Sequence, residues 1–144
     1  MRAKAFILML CTGTLCWGTA AFCAPADWFL LDENPGSGFF YDRNGITTVR
    51  EGVIQVRTRV LYSEEGKKEA LKVLKGLPQQ APLYETIYNY EINCPEREGH
   101  LLASSHLDKG GTILKTTELS AVTQWEYLPP DTRLGLVVQQ ACPR

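Results

Sequence analysis

The sequence predicts an α+β domain: a single antiparallel sheet of about six strands, a short mid-chain helix, a C-terminal helix packed on one face, and one disulfide. Three observations carry this. Residues 53–62 and 84–94 alternate with period two, and residues 63–76 and 133–142 repeat apolar side chains at three- and four-residue spacing. Two cysteines, Cys94 and Cys142, remain once an N-terminal leader is set aside.

The leader comes first. Met1-Arg2-Ala3-Lys4 is a basic start, Ala5 to about Ala21 is an uncharged apolar run, and Ala24-Pro25-Ala26 is an A-x-A match. This pattern reads as a secretory signal peptide over 1–26, with Asp27 opening a single domain over 27–144. The run is at the short end for a bilayer span, so an uncleaved anchor is the weaker reading. Cys11, Cys16 and Cys23 all fall in this segment. A lipid anchor at Cys23 is disfavoured because bulky Phe22 precedes it where a small residue is wanted. Cleavage would remove Arg2 and Lys4, leaving 13 basic against 16 acidic side chains. That balance argues against nucleic acid as a partner, which would call for a basic stripe. No integral membrane segment is expected after cleavage.

Trp28-Phe29-Leu30-Leu31 and Phe39-Phe40-Tyr41 are short apolar runs across a Pro/Gly-rich loop, predicting a hairpin with a long exposed tip. Asn44-Gly45 predicts a tight turn using positive φ. In Val53–Tyr62, Ile54, Val56, Thr58, Val60 and Tyr62 share one face, and Gln55, Arg57 and Arg59 the other. Arg57 and Arg59 are expected to pair with Glu85 and Glu91 across strands, or alternatively to contact an anion or ligand. Ser63-Glu64-Glu65 opens an amphipathic helix, with Lys72 and Lys75 near its end and Gly76 as its stop. Packing on the sheet outweighs membrane binding for so narrow an apolar stripe.

Tyr84–Cys94 is the expected central strand. Tyr84, Thr86, Tyr88, Tyr90, Ile92 and Cys94 share one face, while Glu85, Asn89 and Glu91 share the other with Ile87 as its apolar exception. His100–Leu107 reads as a strand of mixed parity, and Thr112–Thr116 as its hairpin partner across Asp108-Lys109-Gly110-Gly111. His100 and His106 share a parity, but six residues at about 3.3 Å each put them roughly 20 Å apart, too far to chelate one metal. Arg133–Cys142 predicts the closing helix, with Leu134, Val137, Val138 and Ala141 on one side. Gly135 within it should cost about 1 kcal/mol relative to alanine.

Two cysteines in an exported chain read as a structural disulfide, Cys94 to Cys142. Closing a loop of about 49 residues stabilises by roughly 4 kcal/mol. Without C-x-x-C spacing, a redox or metal pair is the weaker reading.

In order, the leader, the early Trp28 strand, Phe40-Tyr41-Asp42 with Ile46, Val56-Arg57, Tyr62, Cys94, His106-Leu107-Asp108 with Gly111, Trp125, Pro129 and near-terminal Cys142 resemble the bacterial surface-adhesin protein E family. The resemblance implies a small antiparallel sheet with a C-terminal helix on its concave side and a disulfide at Cys94 and Cys142. For the family's namesake it implies an outer-membrane adhesin for host matrix proteins that can dimerise and bind haem. No ligand motif carries over residue by residue, so no cofactor is expected, and haem association or a homodimer rests on the resemblance alone.

The expected function is therefore an exported, non-catalytic binding protein engaging a protein or surface partner. Its address is the periplasm or the outer-membrane and cell surface. The alternative is a periplasmic accessory module holding a small ligand between sheet and helix. Arg57, Arg59, Tyr88 and Tyr90 are the candidate binding residues. An enzyme is not expected: in Ser104-Ser105-His106, Ser105 faces away from the imidazole, and Ser104 has no acidic partner in sequence.

Overall fold

The computed structural model describes residues 24–144. The basic start and apolar run of the leader, with Cys11, Cys16 and Cys23, lie outside the described residues. The chain runs β1 (Trp28–Asn34), β2 (Ser37–Asp42), a 3-10 turn (Arg43–Gly45), β3 (Thr47–Arg50), β4 (Val53–Tyr62), α1 (Glu64–Val73), β5 (Glu85–Asn93), β6 (Glu98–Leu107), β7 (Ile113–Glu118), β8 (Glu126–Tyr127) and α2 (Arg133–Ala141). These form one antiparallel sheet in the order β1-β2-β4-β5-β6-β7, with β3 on β4 and β8 on β6.

The predicted fold class holds, and β4 and β5 occupy the sheet's middle. Two strands beyond the expected six are β3 and β8. All four residues of β3 are exposed and β8 has two, so neither leaves an alternation to read. The first hairpin has no long tip, because Asp32–Asn34 and Ser37–Gly38 extend the ladder. The Asn34 side chain closes the turn by accepting from the Gly36 and Ser37 amides at 2.9 Å. Asn44-Gly45 likewise does not use positive φ; it forms the 3-10 turn, capped by Asp42.

Register assigns the faces, since residues directly opposite in an antiparallel ladder share a side. Face A carries Tyr41, Thr58, Tyr88 and Ser104 in one rank, Phe39, Val60, Thr86, His106 and Lys115 in the next, and Ile54, Ile92 and Gly99 below. A bulge at Leu102 flips the parity of β6 midway, which explains its mixed pattern. It also corrects the histidines: His106 lies on face A, whereas His100, opposite Glu91, lies on the other.

Both helices cover face A. Val137 and Val138 of α2 are buried against Phe39, Tyr41, Ile54, Val56 and Ile92, each worth roughly 1.5–3 kcal/mol. The Thr132 hydroxyl caps α2 by accepting from the Gly135 amide at 3.0 Å. A Cβ at Gly135 would stand 2.0 Å from the Pro129 carbonyl oxygen, so this glycine permits the tight entry into the helix. At the other end, the disulfide joins Cys142 to Cys94 just past β5. The mid-chain helix α1 packs over Tyr62, Leu83 and Leu114 with Leu71 buried, and ends before Gly76, capped at Leu74.

Candidate functional site

The opposite side, face B, carries no helix among the described residues. One rank runs Leu30, Phe40, Arg59, Ile87, Ser105, Thr116, and the neighbouring rank contains Trp28, Asp42, Arg57 and Asn89. The Arg57 and Arg59 guanidiniums each lie 5.7 Å from the centre of the Trp28 ring, and Arg59 lies 5.6 Å from Phe40. Cation–π attraction of this kind contributes about 0.5–1 kcal/mol at a wet site. Leu30 is 44% exposed beside them, and the Arg57 side chain is 42% exposed.

The two arginines have different counter-ions. Arg59 Nε sits 2.5 Å from Glu85 Oε2, the expected cross-strand ion pair. Among the described residues that Nε has no aligned hydrogen bond, so the contact is electrostatic rather than directional. Arg57 pairs not with Glu91 but with Asp42, while Glu91 faces Arg50 at 3.8 Å. Asp42 is fully buried, and its Oδ1 accepts the Asp27 amide at 2.9 Å and the Asn44 amide at 3.1 Å while Oδ2 takes the Arg57 guanidinium. Burial pushes the Asp42 carboxyl up, but the Asp27 amide, Arg57 and the Asn44 amide outweigh it and hold the group below its ordinary range. Gly45 makes room for this: a Cβ there would stand 2.5 Å from Asp42 Oδ2. Further along the same face, Trp125 stacks 5.4 Å from His100 and lies under Arg50 at 5.8 Å.

Tyr88 and Tyr90 are on face A, so the four candidate binding residues divide between two sides. Burial, with Tyr62 and Tyr90 close by, pushes the Tyr88 phenol up, and burial next to Glu126 pushes Tyr90 up to about 12. Tyr90 lines a cleft of about 260 Å3 with Leu101, Thr123, Leu128 and Leu134. A broader depression of about 440 Å3 surrounds the disulfide, bordered by Gly52, Arg97 and Val138. Higher on face A a polar chain links Tyr62 Oη to Thr86 Oγ1 at 3.0 Å and Thr86 Oγ1 to His106 Nδ1 at 2.8 Å. Burial, then Lys115, hold His106 below its ordinary pKa. Ser104 shares the face, but among the described residues no hydrogen bond joins it to His106, and Ser105 bonds Thr116 Oγ1 on face B instead.

Sequence reading missed Trp28, Phe40 and Asp42 as parts of this site. Their shared parity along the first hairpin was visible, but the pairing that puts Asp42 under Arg57 needs the third dimension.

No family model matches the sequence, and no curated protein matches it significantly. Solved structures do. Haemophilus influenzae protein E matches with a TM-score of 0.57 at 16% identity, over 82% of this chain and 88% of that one. Its second crystal form gives 0.52 at 13%, over 83% and 96%, and its selenomethionine form 0.53 at 15%, over 78% and 89%. The chain therefore shares the fold of protein E across nearly all of its described length, at an identity that speaks for fold alone.

Proposed function

We propose that this is an exported, non-catalytic binding protein that engages a protein or surface partner through face B. The observation that carries the reading is Trp28 lying 5.7 Å from both the Arg57 and the Arg59 guanidinium, on the sheet face that no helix among the described residues covers, with Leu30 and Phe40 beside it. Tryptophan and arginine are the side chains that dominate binding hot spots, and a tryptophan fixed in place loses little entropy when a partner lands. A disulfide within the fold suits an oxidising compartment outside the cytoplasm. The likeness in fold to protein E supports an adhesin-like role at the outer-membrane or cell surface.

A periplasmic small-ligand module of the same fold is the second reading, favoured by the Tyr90 cleft. At about 260 Å3 that cleft falls short of the 300 Å3 or so at which ligand pockets begin.

Protease shaving of intact cells expressing the gene, with mass spectrometry of released peptides, tests the address. Release of peptides from residues 53–115 while a periplasmic marker stays intact is the expected result. Protection until the outer membrane is opened would sink surface display and favour the periplasmic module. Adherence of the same cells to a reconstituted basement-membrane matrix tests the face. A folded Trp28→Ala variant should adhere less, and unchanged adherence would remove face B from the function.

A further inference from the structure

Four bonds converge on Asp27, immediately before β1. Its amide donates to buried Asp42 Oδ1 at 2.9 Å, its carbonyl accepts the Arg43 amide at 2.9 Å, and its carboxylate meets Arg43 Nε and Nη2, both at 2.8 Å. The three residues before it are exposed, and the Asn44 side-chain amide donates to the Pro25 carbonyl at 3.0 Å. The residue that an A-x-A cleavage after Ala26 would make the first is thus the one on which this network closes.

From this geometry we infer that Asp42 is the receiving site for the α-ammonium group released when the leader is cut after Ala26. The inference rests on the export reading above. In the uncut chain the nitrogen facing Asp42 Oδ1 is a neutral amide. Hydrolysis of the Ala26–Asp27 peptide bond puts a carboxylate on Ala26 and, after proton uptake, a cationic ammonium on Asp27. The bond at 2.9 Å then becomes a charge-assisted one to a carboxylate sealed from water, roughly twice as strong as the neutral kind. The other charged groups around it are the Asp27 carboxylate, Arg43 and Arg57. Asp42 would then gather the new N-terminus and Arg57 on one carboxyl group. Trp28, the next residue, already lies over Arg57 and Arg59, so that cleavage reinforces the binding face at its first residue.

The sign of the pH dependence follows. An ammonium paired with a carboxylate has its pKa raised above the unfolded value of about 7.7–8.0. Its stabilisation is complete below that value and is lost as pH rises through the folded pKa.

The test is to express the full chain with its leader, purify the envelope form and measure its intact mass and urea midpoint. A second version carries one alanine inserted between Ala26 and Asp27, which leaves Asp42 intact but moves the ammonium away. The wild type should begin at Asp27 and exceed the extended product about tenfold in folding equilibrium constant at pH 7. The gap should close at alkaline pH and be absent in an Asp42→Asn background. Equal stability of the two products, or a mature chain beginning elsewhere, overturns the inference. Retention of the leader with the protein in the cytoplasm would instead overturn the export reading itself.

Discussion

Replacing Cys94 and Cys142 together by alanine tests how much of this fold depends on its cross-link. The bridge spans a sequence separation of 48 residues, enclosing β6, β7, β8 and α2. Chain entropy for a loop of that length amounts to roughly 4 kcal/mol at room temperature. A domain of this size unfolds with an entropy near 0.25 kcal/mol/K, so 4 kcal/mol corresponds to a drop of about 15 °C in Tm. The native state should survive the loss. At its start α2 is tied by Arg133, which donates to Asp32 at 2.7 Å and to the Ser37 hydroxyl at 2.9 Å, and Val137 and Val138 stay in the core. Urea unfolding followed by far-UV circular dichroism should therefore show a lower midpoint with a similar or steeper slope, since an uncross-linked denatured chain exposes more surface. A loss under about 1 kcal/mol would refute the reasoning, because it would mean that the denatured chain is already confined without the bridge.

Three other perturbations follow from individual side chains. Thr58 is fully buried with its hydroxyl unpaired among the described residues, so Thr58→Val should stabilise by about 1 kcal/mol in the same urea assay, and destabilisation would reveal a hidden partner. Arg97 holds a φ of 54° with Nε and Nη2 buried and without a hydrogen-bond partner among the described residues. Arg97→Gly should therefore raise stability by about 1 kcal/mol, and a loss of that size would show that the guanidinium is engaged. His106 has a folded pKa below its unfolded value of about 6.5, so the unfolded chain binds the extra proton; stability is complete above that value and falls on acidification towards the folded pKa. His106→Asn, which can keep a bond to Thr86, should flatten that decline below about pH 6.5, and an unchanged pH profile would clear His106 of the effect.

Much of this architecture was legible because half-burial writes itself into parity. The strand Val53–Tyr62 alternates where one side meets α2 and the other meets water, and both its ends match the structure. The same logic failed where a bulge intervened. Leu102 adds one residue to β6, so spacing alone put His100 and His106 on one side when the ladder sets them on opposite sides. Ion pairing was half legible: Arg59 finds Glu85 on the neighbouring β5, but Arg57 turns to the strand on the other side, β2, for Asp42, a partner that no local spacing announces. The candidate face suffered most, since Trp28, Phe40 and Arg59 come from three strands and meet only through register.

The position of β1 at the sheet's edge narrows how a partner could use face B. An open edge invites strand addition, yet this one carries a bulge at Leu31, between Leu30 and Asp32, and charged Asp32 and Glu33 follow it. Asp32 is moreover occupied by Arg133, which fixes that end of the strand to α2. A bulged, charged edge is a poor template for backbone pairing, whereas the side chains of Trp28, Leu30 and Phe40 project from the flat of the sheet. Recognition by side-chain packing therefore fits better than recognition by an added strand. Trp28→Ala should weaken adherence to the matrix, while a proline at Glu33, which blunts the exposed edge further, should leave it unchanged. The opposite ranking in the same adherence assay, with both variants shown folded by circular dichroism, would move the binding site from the face to the edge.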